Sequence, residues 1–277
     1  MRTLVHLSDL HFGRLDPLLL MPLVECVHAL SPDVVVVSGD LTQRARTAEF
    51  LQAKEFLARL PEPRIVVPGN HDVPLHNLVH RLLRPLEKFC RYIEPNLSPS
   101  FIDPEIAVLG VNTARSLVLK NGRINEVQLR SLREAFGVLP EEVVKVVVTH
   151  HPFDVPSHIG ASQRVGRAGM AMVEFAQWGV DVLLAGHLHT SRAGDTGARY
   201  ALSGYGALVL NAGTATSTRG RGEANAFNLV RLEKNRVEVT RFEWQHESQR
   251  FSPADHQLFV REHKGWKLID YPLPERK

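Results

Sequence analysis

The sequence predicts an α/β layered fold built on a largely parallel β-sheet. Two observations support this prediction: short, continuous apolar segments recur along the chain, and helical patterns separate several of them. A segment that is apolar throughout, without alternation, is typical of a strand buried on both faces. The predicted strands are Thr3–Leu7, Val34–Val37, Arg64–Val67, Ala107–Val111, Val143–Val148 and Asp181–Ala185.

Four segments between these strands have the apolar spacing and the end signals of helices. Pro17 suits the first turn of one helix, Asn125 suits an N-cap, and Gly137 and Gly179 suit helix ends. The predicted helices are Pro17–Leu30, Thr47–Leu60, Asn125–Phe136 and Ala168–Trp178. Helices that alternate with strands in this way cover the faces of a parallel sheet.

The last third of the chain has a pattern typical of antiparallel strands. Residues 227–232 and 237–242 alternate around Lys234-Asn235, which is a hairpin signal. Further short strands are predicted at Ala201–Leu202 and Ala207–Asn211. We therefore expect a second, mostly antiparallel sheet that packs on the first.

One domain is expected over residues 1–245, because no repeat and no linker divides this region. Residues 246–277 are expected to form a C-terminal tail, since the pattern weakens there and prolines such as Pro253 interrupt it. This tail is predicted to supply edge strands of the same domain at Leu258–Val260 and Trp266–Tyr271.

Composition excludes several classes of protein. The 277 residues are 44% apolar, enough for a substantial core, and 33 basic against 30 acidic residues leave a net charge of only +3. This small excess argues against a dedicated nucleic-acid binder. The chain shows neither a signal-peptide pattern nor a long apolar segment, so we expect a cytoplasmic protein with no membrane partner.

Histidine and cysteine usage narrows the choice of metal ligands. With two cysteines and 14 histidines, a disulfide framework and a cysteine-rich zinc module are both excluded. A bound metal would therefore be held by His, Asp, Asn or Glu. His6 lies inside the first predicted strand and is expected to be a hydrogen-bonded core residue.

Polar residues able to bind metal directly follow five of the predicted strands. These residues are Asp9, His11, Asp40, Asn70, His150, His187 and His189. Because the carboxyl ends of parallel strands share one edge of a sheet, we expect all seven side chains to meet there. Taken singly, such residues often only cap turns, but seven at five strand ends favour a metal site.

Local spacing fits this interpretation. Asp9 and His11 are separated by one residue, as are His187 and His189, and in an extended chain such pairs project to the same side. Three glycines that precede the polar residues permit sharp turns at the strand ends. They are Gly39, Gly69 and Gly186.

The donor atoms select the class of metal. Imidazole, carboxylate and amide oxygen without thiolate suit Mn, Fe, Zn, Co or Ni, whereas Mg and Ca prefer sites made mainly of oxygen. Seven side chains are too many for one tetrahedral zinc but fit two ions that share a bridging carboxylate. Two ions roughly 3.5–4 Å apart are suited to phosphoryl transfer.

The series Asp9-x-His11, Gly39-Asp40, Gly69-Asn70-His71-Asp72, His150 and Gly186-His187-x-His189 resembles the calcineurin-like metallophosphoesterases. Each motif alone is common, whereas all five in order, each behind a strand, are specific. The runs Asp40-Leu41-Thr42 and His150-His151-Pro152 resemble the bacterial class III cyclic-nucleotide phosphodiesterase branch. That branch usually has a second proline after the position of Pro152, whereas this chain has Phe153 there. This difference leaves the choice of substrate open.

The resemblance implies two packed mixed β-sheets flanked by helices, an αββα sandwich. It also implies two metal ions, Mn²⁺, Fe²⁺/Fe³⁺ or Zn²⁺, bridged by Asp40, with a hydroxide between them that attacks phosphorus in line. One ion would be held by Asp9, His11, Asp40 and His189, and the other by Asp40, Asn70, His150 and His187. His71 would contact the phosphate and protonate the leaving oxygen, and Asp72 would orient His71 through its other ring nitrogen.

The expected function is therefore hydrolysis of a small-molecule phosphodiester, with 3′,5′-cyclic nucleotides as one candidate substrate class. The alternatives are a nuclease, a hydrolase of nucleotide-sugar lipid precursors, a phosphomonoesterase and a non-catalytic binding scaffold. The near-balanced charge makes nucleic acid an unfavoured partner, and the complete ligand set argues against a scaffold. A homodimer is one assembly left open.

Several residues near the motifs have two interpretations each. Arg115, Arg164 and Arg167 are candidates for phosphate contact, although solvated arginines are the favoured reading. His151 lines the site or packs beside Pro152, and residues 158–169 form either a substrate gate or an ordinary surface loop.

Overall fold

The computed structural model describes residues 1–75, 78–116, 121–156, 159–219, 222–262 and 265–269. Within these ranges the strands are β1 (Arg2–Leu7), β2 (Val34–Val37), β3 (Arg64–Val66), β4 (Ser100–Ile102), β5 (Ile106–Gly110), β6 (Val144–Val148), β7 (Val182–Ala185), β8 (Arg192–Asp195), β9 (Leu208–Asn211), β10 (Ala226–Glu233), β11 (Arg236–Gln245), β12 (Arg250–Glu262) and β13 (Gly265–Ile269). The helices are α1 (Leu20–Leu30), α2 (Thr47–Leu57), α3 (Leu78–Leu83), α4 (Glu87–Tyr92), α5 (Glu126–Gly137), α6 (Ala168–Trp178) and α7 (Gly197–Tyr200).

The strands form two sheets of mixed direction. One sheet has the order β13-β12-β11-β10-β1-β2-β3 and the other β4-β5-β6-β7-β9-β8. Parallel pairing joins β1, β2 and β3 in the first sheet and β5, β6, β7 and β9 in the second. The expected fold class, two packed mixed sheets flanked by helices, is confirmed.

The predicted division between a parallel and an antiparallel sheet is wrong. The antiparallel hairpin β10–β11 extends the sheet of β1, with Leu4 opposite Val230. The six strands predicted first are instead split, three to each sheet. A continuous apolar segment indicates only that both faces of a strand are buried, and it does not indicate which strands lie beside it.

Burial on both faces follows from four layers. Leu4 and Val36 of the first sheet pack against Val146 and Leu184 of the second, in a core between the sheets. Val5 belongs instead to an outer core under α1 and α2, and α5 and α6 cover the second sheet in the same manner. Successive residues of a strand thus enter different apolar cores, which explains why the sequence does not alternate.

The C-terminal segment contributes more structure than predicted. The 13-residue β12 pairs with β11 on one side and with β13 on the other, so β12 is an interior strand. Pro253 lies opposite Phe242, where the register of the pair shifts, and a bulge is a position that tolerates proline. Phe259 and Trp266 join the core between the sheets, while Tyr271 lies outside the described residues.

Local signals set most element ends. Asn125 caps α5 by accepting a hydrogen bond from the Gln128 backbone, as predicted. A 3₁₀ turn at Pro17–Leu19 precedes α1. The strand predicted at Ala201–Leu202 is wrong, since Ala201 ends α7 in the left-handed region with φ 46°.

None of the described helices is long and apolar enough to cross a membrane.

Candidate metal centre

The seven predicted ligands lie together where the carboxyl ends of parallel strands from both sheets meet. β1, β2 and β3 deliver their loops from one sheet, and β6 and β7 deliver theirs from the other. The loops are joined across this edge, because the His187 backbone N–H donates to Asp9 Oδ2 over 3.0 Å. The site therefore lies between two sheets and not along the edge of one.

Four of these residues form a first ligand group. They are Asp9, His11, Asp40 and His189, whose ligating atoms all lie within 4.8 Å of one another. His189 Nε2 is 3.2 Å from Asp9 Oδ1 and 3.3 Å from His11 Nε2. Ligand atoms that share one ion are typically separated by roughly 3.0–3.5 Å, so this spacing fits a metal.

Asp9 supplies a second indication that a metal fits the first ligand group. Its Oδ1 is buried and accepts no hydrogen bond of ordinary geometry within the described part of the chain. Its other oxygen, Oδ2, is satisfied by Ser8 Oγ at 2.6 Å and by the His187 backbone. A buried carboxylate oxygen aimed at two imidazoles is suited to a cation.

The second ligand group consists of Asp40, Asn70, His150 and His187. Asn70 Oδ1 is 3.1 Å from His150 Nε2 and 3.1 Å from His187 Nδ1. Asp40 Oδ2 is 3.4 Å from His150 Nε2 and 3.7 Å from His11 Nε2, so it lies between the two groups. This is the position that a bridging carboxylate requires.

Neighbouring backbone groups orient the ligands. His150 Nδ1 is 2.8 Å from Ser38 O, to which it donates, so Nε2 is the nitrogen left for a metal. Asp40 Oδ1 accepts from the His71 backbone over 2.8 Å, which leaves Oδ2 facing the ligand groups. These contacts fix both the ring tautomer and the free carboxylate oxygen.

The ligands converge through left-handed backbone and not through the extended chain that the spacing suggested. Positive φ angles occur at Asp9 (54°), His11 (51°), Asp40 (52°), His187 (71°) and His189 (58°). This region is rare for residues other than glycine and persists only where surrounding contacts hold it. Here the loop after β1 is held by backbone hydrogen bonds from Asp9 to Gly39 and from His11 to Asp40.

The three predicted glycines serve two different purposes. Gly39 has φ +92°, so it supports the sharp turn that was expected. At Gly186 an added Cβ would lie 1.8 Å from Ser8 Oγ, and at Gly69 it would lie 2.1 Å from Asp40 Oδ1. Gly69 and Gly186 are therefore needed because neighbouring loops approach closely.

The electrostatics of the site favour a bound cation. Burial disfavours charge on Asp9 and Asp40, but the surrounding histidines outweigh it and hold the pKa of both carboxyl groups below the usual range. Burial lowers the pKa of His150, but the nearby Asp40 raises it, and the net result is a rise to about 9. For His187, burial lowers the pKa to about 3. The buried carboxylates thus require nearby positive charge, which a proton or a metal ion can supply.

His71 lies beside the first ligand group. Its ring meets that of His11 edge to face, with centroids 5.0 Å apart. Nδ1 donates to Gln43 O at 2.8 Å, and Nε2 accepts from Arg219 Nη1 at 3.0 Å. A backbone carbonyl, and not a carboxylate, therefore orients the ring.

The predicted contact between Asp72 and the His71 ring is wrong. The Asp72 carboxylate accepts hydrogen bonds from the backbone of Leu41, Thr42 and Gly69, and from Thr42 Oγ1. Burial and the nearby Asp40 raise the pKa of Asp72 to about 6, although the hydrogen bonds from Gly69 and Thr42 act in the opposite direction. Asp72 faces away from His71 because it joins the loop after β2 to the loop after β3.

Comparison with known proteins identifies the family of this chain. A model of the calcineurin-like phosphoesterase family matches residues 2–191. The chain belongs to this family. Members of the family use a dinuclear metal centre, in agreement with the His/Asp cluster found here.

Two curated relatives are similar to this calcineurin-like phosphoesterase over part of its length. It is 28% identical to a probable glycerophosphodiester phosphodiesterase, GpdQ, of Arcobacter nitrofigilis, over 57% of each chain. It is 25% identical to the 3′,5′-cyclic adenosine monophosphate phosphodiesterase CpdA of Escherichia coli K12, over 57% of this chain and 54% of CpdA. These matches span little more than half the length of the curated relatives.

The fold has a counterpart among solved structures. Purple acid phosphatase PPD1 from yellow lupin aligns with a TM-score of 0.68 at 10% identity, over 95% of this chain and 54% of the lupin protein. At this identity the likeness concerns the fold alone.

Sequence reasoning missed Arg219 of this phosphoesterase. Arg219 closely follows Ala212-Gly213-Thr214-Ala215-Thr216-Ser217, a run of small and hydroxyl-bearing residues, and a cation beside such a run is the signal that could have drawn attention to it. The candidates Arg115 and Arg167 have partners on α5 instead: Arg115 donates to Gln128 Oε1, and Arg167 lies 3.6 Å from Glu126. Arg164 interacts with Tyr200.

His151 lies next to the second ligand group. Its ring centroid is 4.8 Å from those of both His150 and His187, and its Nδ1 is 2.8 Å from Thr113 Oγ1. The side chain is completely buried. His158, where the candidate gate begins, lies outside the described residues, and residues 161–163 form a 3₁₀ turn before α6.

Proposed function

We propose that this chain is a dinuclear metal-dependent phosphodiesterase. The observation that carries the proposal is the position of Asp40 Oδ2 between two groups of nitrogen and oxygen ligands. Family membership and two relatives named as phosphodiesterases support it. The two metal ions, which we expect to be Mn²⁺, Fe²⁺/Fe³⁺ or Zn²⁺, would be held by the two ligand groups and bridged by Asp40.

The ions would supply a hydroxide nucleophile near neutral pH and charge that stabilises the phosphoryl transition state. The protein holds the ligands in place before substrate arrives, through left-handed loops and backbone hydrogen bonds. Asp72 contributes by joining the loops that carry Asp40 and Asn70, which replaces the orienting role first predicted for it.

His71 is the proposed contact to the phosphate and the proposed acid for the leaving oxygen. Nδ1 keeps its proton on Gln43 O, so Nε2 is the nitrogen that would exchange a proton with substrate. This nitrogen is also the one that contacts Arg219.

The proposed substrates are small-molecule phosphodiesters. The names of the two curated relatives point to glycerophosphodiesters and to 3′,5′-cyclic nucleotides, and the cyclic-nucleotide class expected from the sequence stays a prediction. The cytoplasmic location and the homodimer also stay predictions.

A substrate panel tests the proposal. Protein stripped of metal and reloaded with Mn²⁺, Fe²⁺, Co²⁺ or Zn²⁺ is assayed on bis(p-nitrophenyl) phosphate, 3′,5′-cyclic AMP, glycerophosphocholine and p-nitrophenyl phosphate. We expect diester hydrolysis that Asp40→Ala and His71→Ala abolish. Wild type that is inactive on every substrate with every metal would overturn the proposal, and protein without stoichiometric metal would favour the scaffold alternative.

A further inference from the structure

We infer that Arg219 binds the phosphate of the substrate and is a specificity-determining residue of this site. The inference rests on the proposed phosphodiesterase function and adds a residue that the sequence motifs do not contain. Its guanidinium would donate to a non-bridging phosphoryl oxygen while the ester is held at the metal centre. The geometry, the charge and the anchoring of Arg219 each support it.

The geometry places the guanidinium one ring away from the first ligand group. Arg219 Nη1 is 3.0 Å from His71 Nε2, and the His71 ring packs edge to face against His11. A phosphate that reaches both the ligand group and His71 Nε2 therefore comes within reach of Arg219.

The charge of Arg219 is not neutralised by a carboxylate among the described residues. Other arginines of the chain form ion pairs: Arg199 with Asp154, Arg261 with Asp181 and Arg133 with Glu174. The side-chain contact of Arg219 is to a neutral imidazole nitrogen. A guanidinium binds an anionic oxygen more strongly than a neutral acceptor, so a phosphate would displace His71 as its partner.

The backbone presents Arg219 from a fixed segment. The Arg219 backbone N–H donates to Ser217 Oγ at 3.1 Å, and that of Thr218 donates to Arg14 O at 3.1 Å. Further back, Thr216 Oγ1 donates to Leu10 O at 2.8 Å, so the segment is tied to the loop that carries Asp9 and His11. The Arg219 side chain itself is only partly buried, which leaves it accessible to a ligand.

A change of hydrogen-bond partner would serve both Arg219 and His71. When the guanidinium turns to the phosphate, His71 Nε2 loses its donor and is free to take up a proton from water, which it then gives to the leaving oxygen, while Nδ1 stays on Gln43 O. Arg219 would thus bind the charge of the ester and release His71 in the same event.

The test uses the Mn²⁺-loaded protein in four forms: wild type, Arg219→Gln, Arg219→Lys and the charge-matched control Arg133→Gln on the surface of α5. Two kinds of measurement are made. One is the affinity for inorganic phosphate by isothermal titration calorimetry, and the other is kcat and KM for bis(p-nitrophenyl) phosphate. Near-ultraviolet circular dichroism and metal content establish that each variant is folded and loaded.

We expect Arg219→Gln to weaken phosphate binding and to lower kcat/KM by about 10- to 100-fold, mainly through KM. Arg219→Lys should recover part of the loss because it keeps the charge, and Arg133→Gln should match wild type. If Arg219→Gln binds phosphate as tightly as wild type, the inference is wrong, whatever happens to kcat. Wild type that neither binds phosphate nor hydrolyses any ester would instead contradict the proposed function itself.

Discussion

The two ligand groups that meet at Asp40 differ in charge and in exposure. The first has two carboxylates, from Asp9 and Asp40, and all four of its residues are buried. The second replaces a carboxylate with the amide of Asn70, and both Asn70 and His187 are partly exposed. An ion in the first group therefore has more negative charge around it and less access to water, so we expect tighter binding there.

The largest effect is expected at the residue that both groups share. Asp40→Ala should lower the affinity for both ions by at least about 100-fold, because even the loss of residues that only orient ligands costs 10–100-fold. Metal content after desalting, measured by inductively coupled plasma mass spectrometry, checks this. Glu55→Gln, a change at an exposed carboxylate on α2, should retain two ions per chain.

Substitutions confined to one group test whether the groups act separately. Asp9→Asn should weaken the binding of the tighter ion and Asn70→Ala that of the weaker one, each by about 100-fold. Titration of the stripped protein with Mn²⁺ should show two unequal affinities in wild type and the loss of a different one in each variant. Loss of the same binding step in both variants would contradict the comparison.

The positions of the seven candidate ligands could be predicted from sequence because the information is local. A buried apolar strand followed at once by Asp, His or Asn is visible in a few residues, and all seven such residues lie at the site. Which sheet each strand joins could not be predicted, since pairs such as Leu4 with Val230 depend on contacts across the whole chain. The same holds for β12, whose polar residues and Pro253 conceal an interior strand.

The orientation of side chains could not be predicted from the sequence either. The proximity of Asp72 to His71 in sequence suggested a contact, but the peptide directs the carboxylate towards Leu41, Thr42 and Gly69 instead. Arg219 is separated from His71 by 148 residues, so no local pattern could connect them.

An intermediate effect is expected where the loops that carry the first group touch. Gly186→Ala would place a Cβ 1.8 Å from Ser8 Oγ and 2.6 Å from Asp9 Oδ2. We expect it to lower the free energy of unfolding by about 1–3 kcal/mol and to weaken the tighter ion more than the weaker one. Chemical denaturation and Mn²⁺ titration measure the two effects.

Gly169 offers the matched control for this substitution. It lies in α6, and nothing lies within 4 Å of an added Cβ. Gly169→Ala should therefore stabilise the protein by roughly 0.5–1 kcal/mol and leave both affinities unchanged. Equal destabilisation by the two alanines would show that the close approach of loops is not the cause.

The smallest effect is expected from the titration of His6, which lies in the buried interior next to the first ligand group. His6 is completely buried in β1, with Nε2 2.9 Å from Ser38 Oγ, and burial lowers its pKa to about 3. The unfolded chain, with a histidine pKa near 6.5, binds more protons than the folded one between these values, so stability is full above pH 6.5 and falls as the pH decreases towards 3. From pH 7 to pH 5.5, His6 should reduce the free energy of unfolding by about 1 kcal/mol.

His6→Gln keeps a hydrogen-bonding group but cannot titrate, so urea denaturation in the presence of a chelator should show a shallower decrease in this variant. A decrease equal to that of wild type would mean that the interior under the first group is wetter than its burial indicates, and it would weaken the argument that this group holds its ion more tightly.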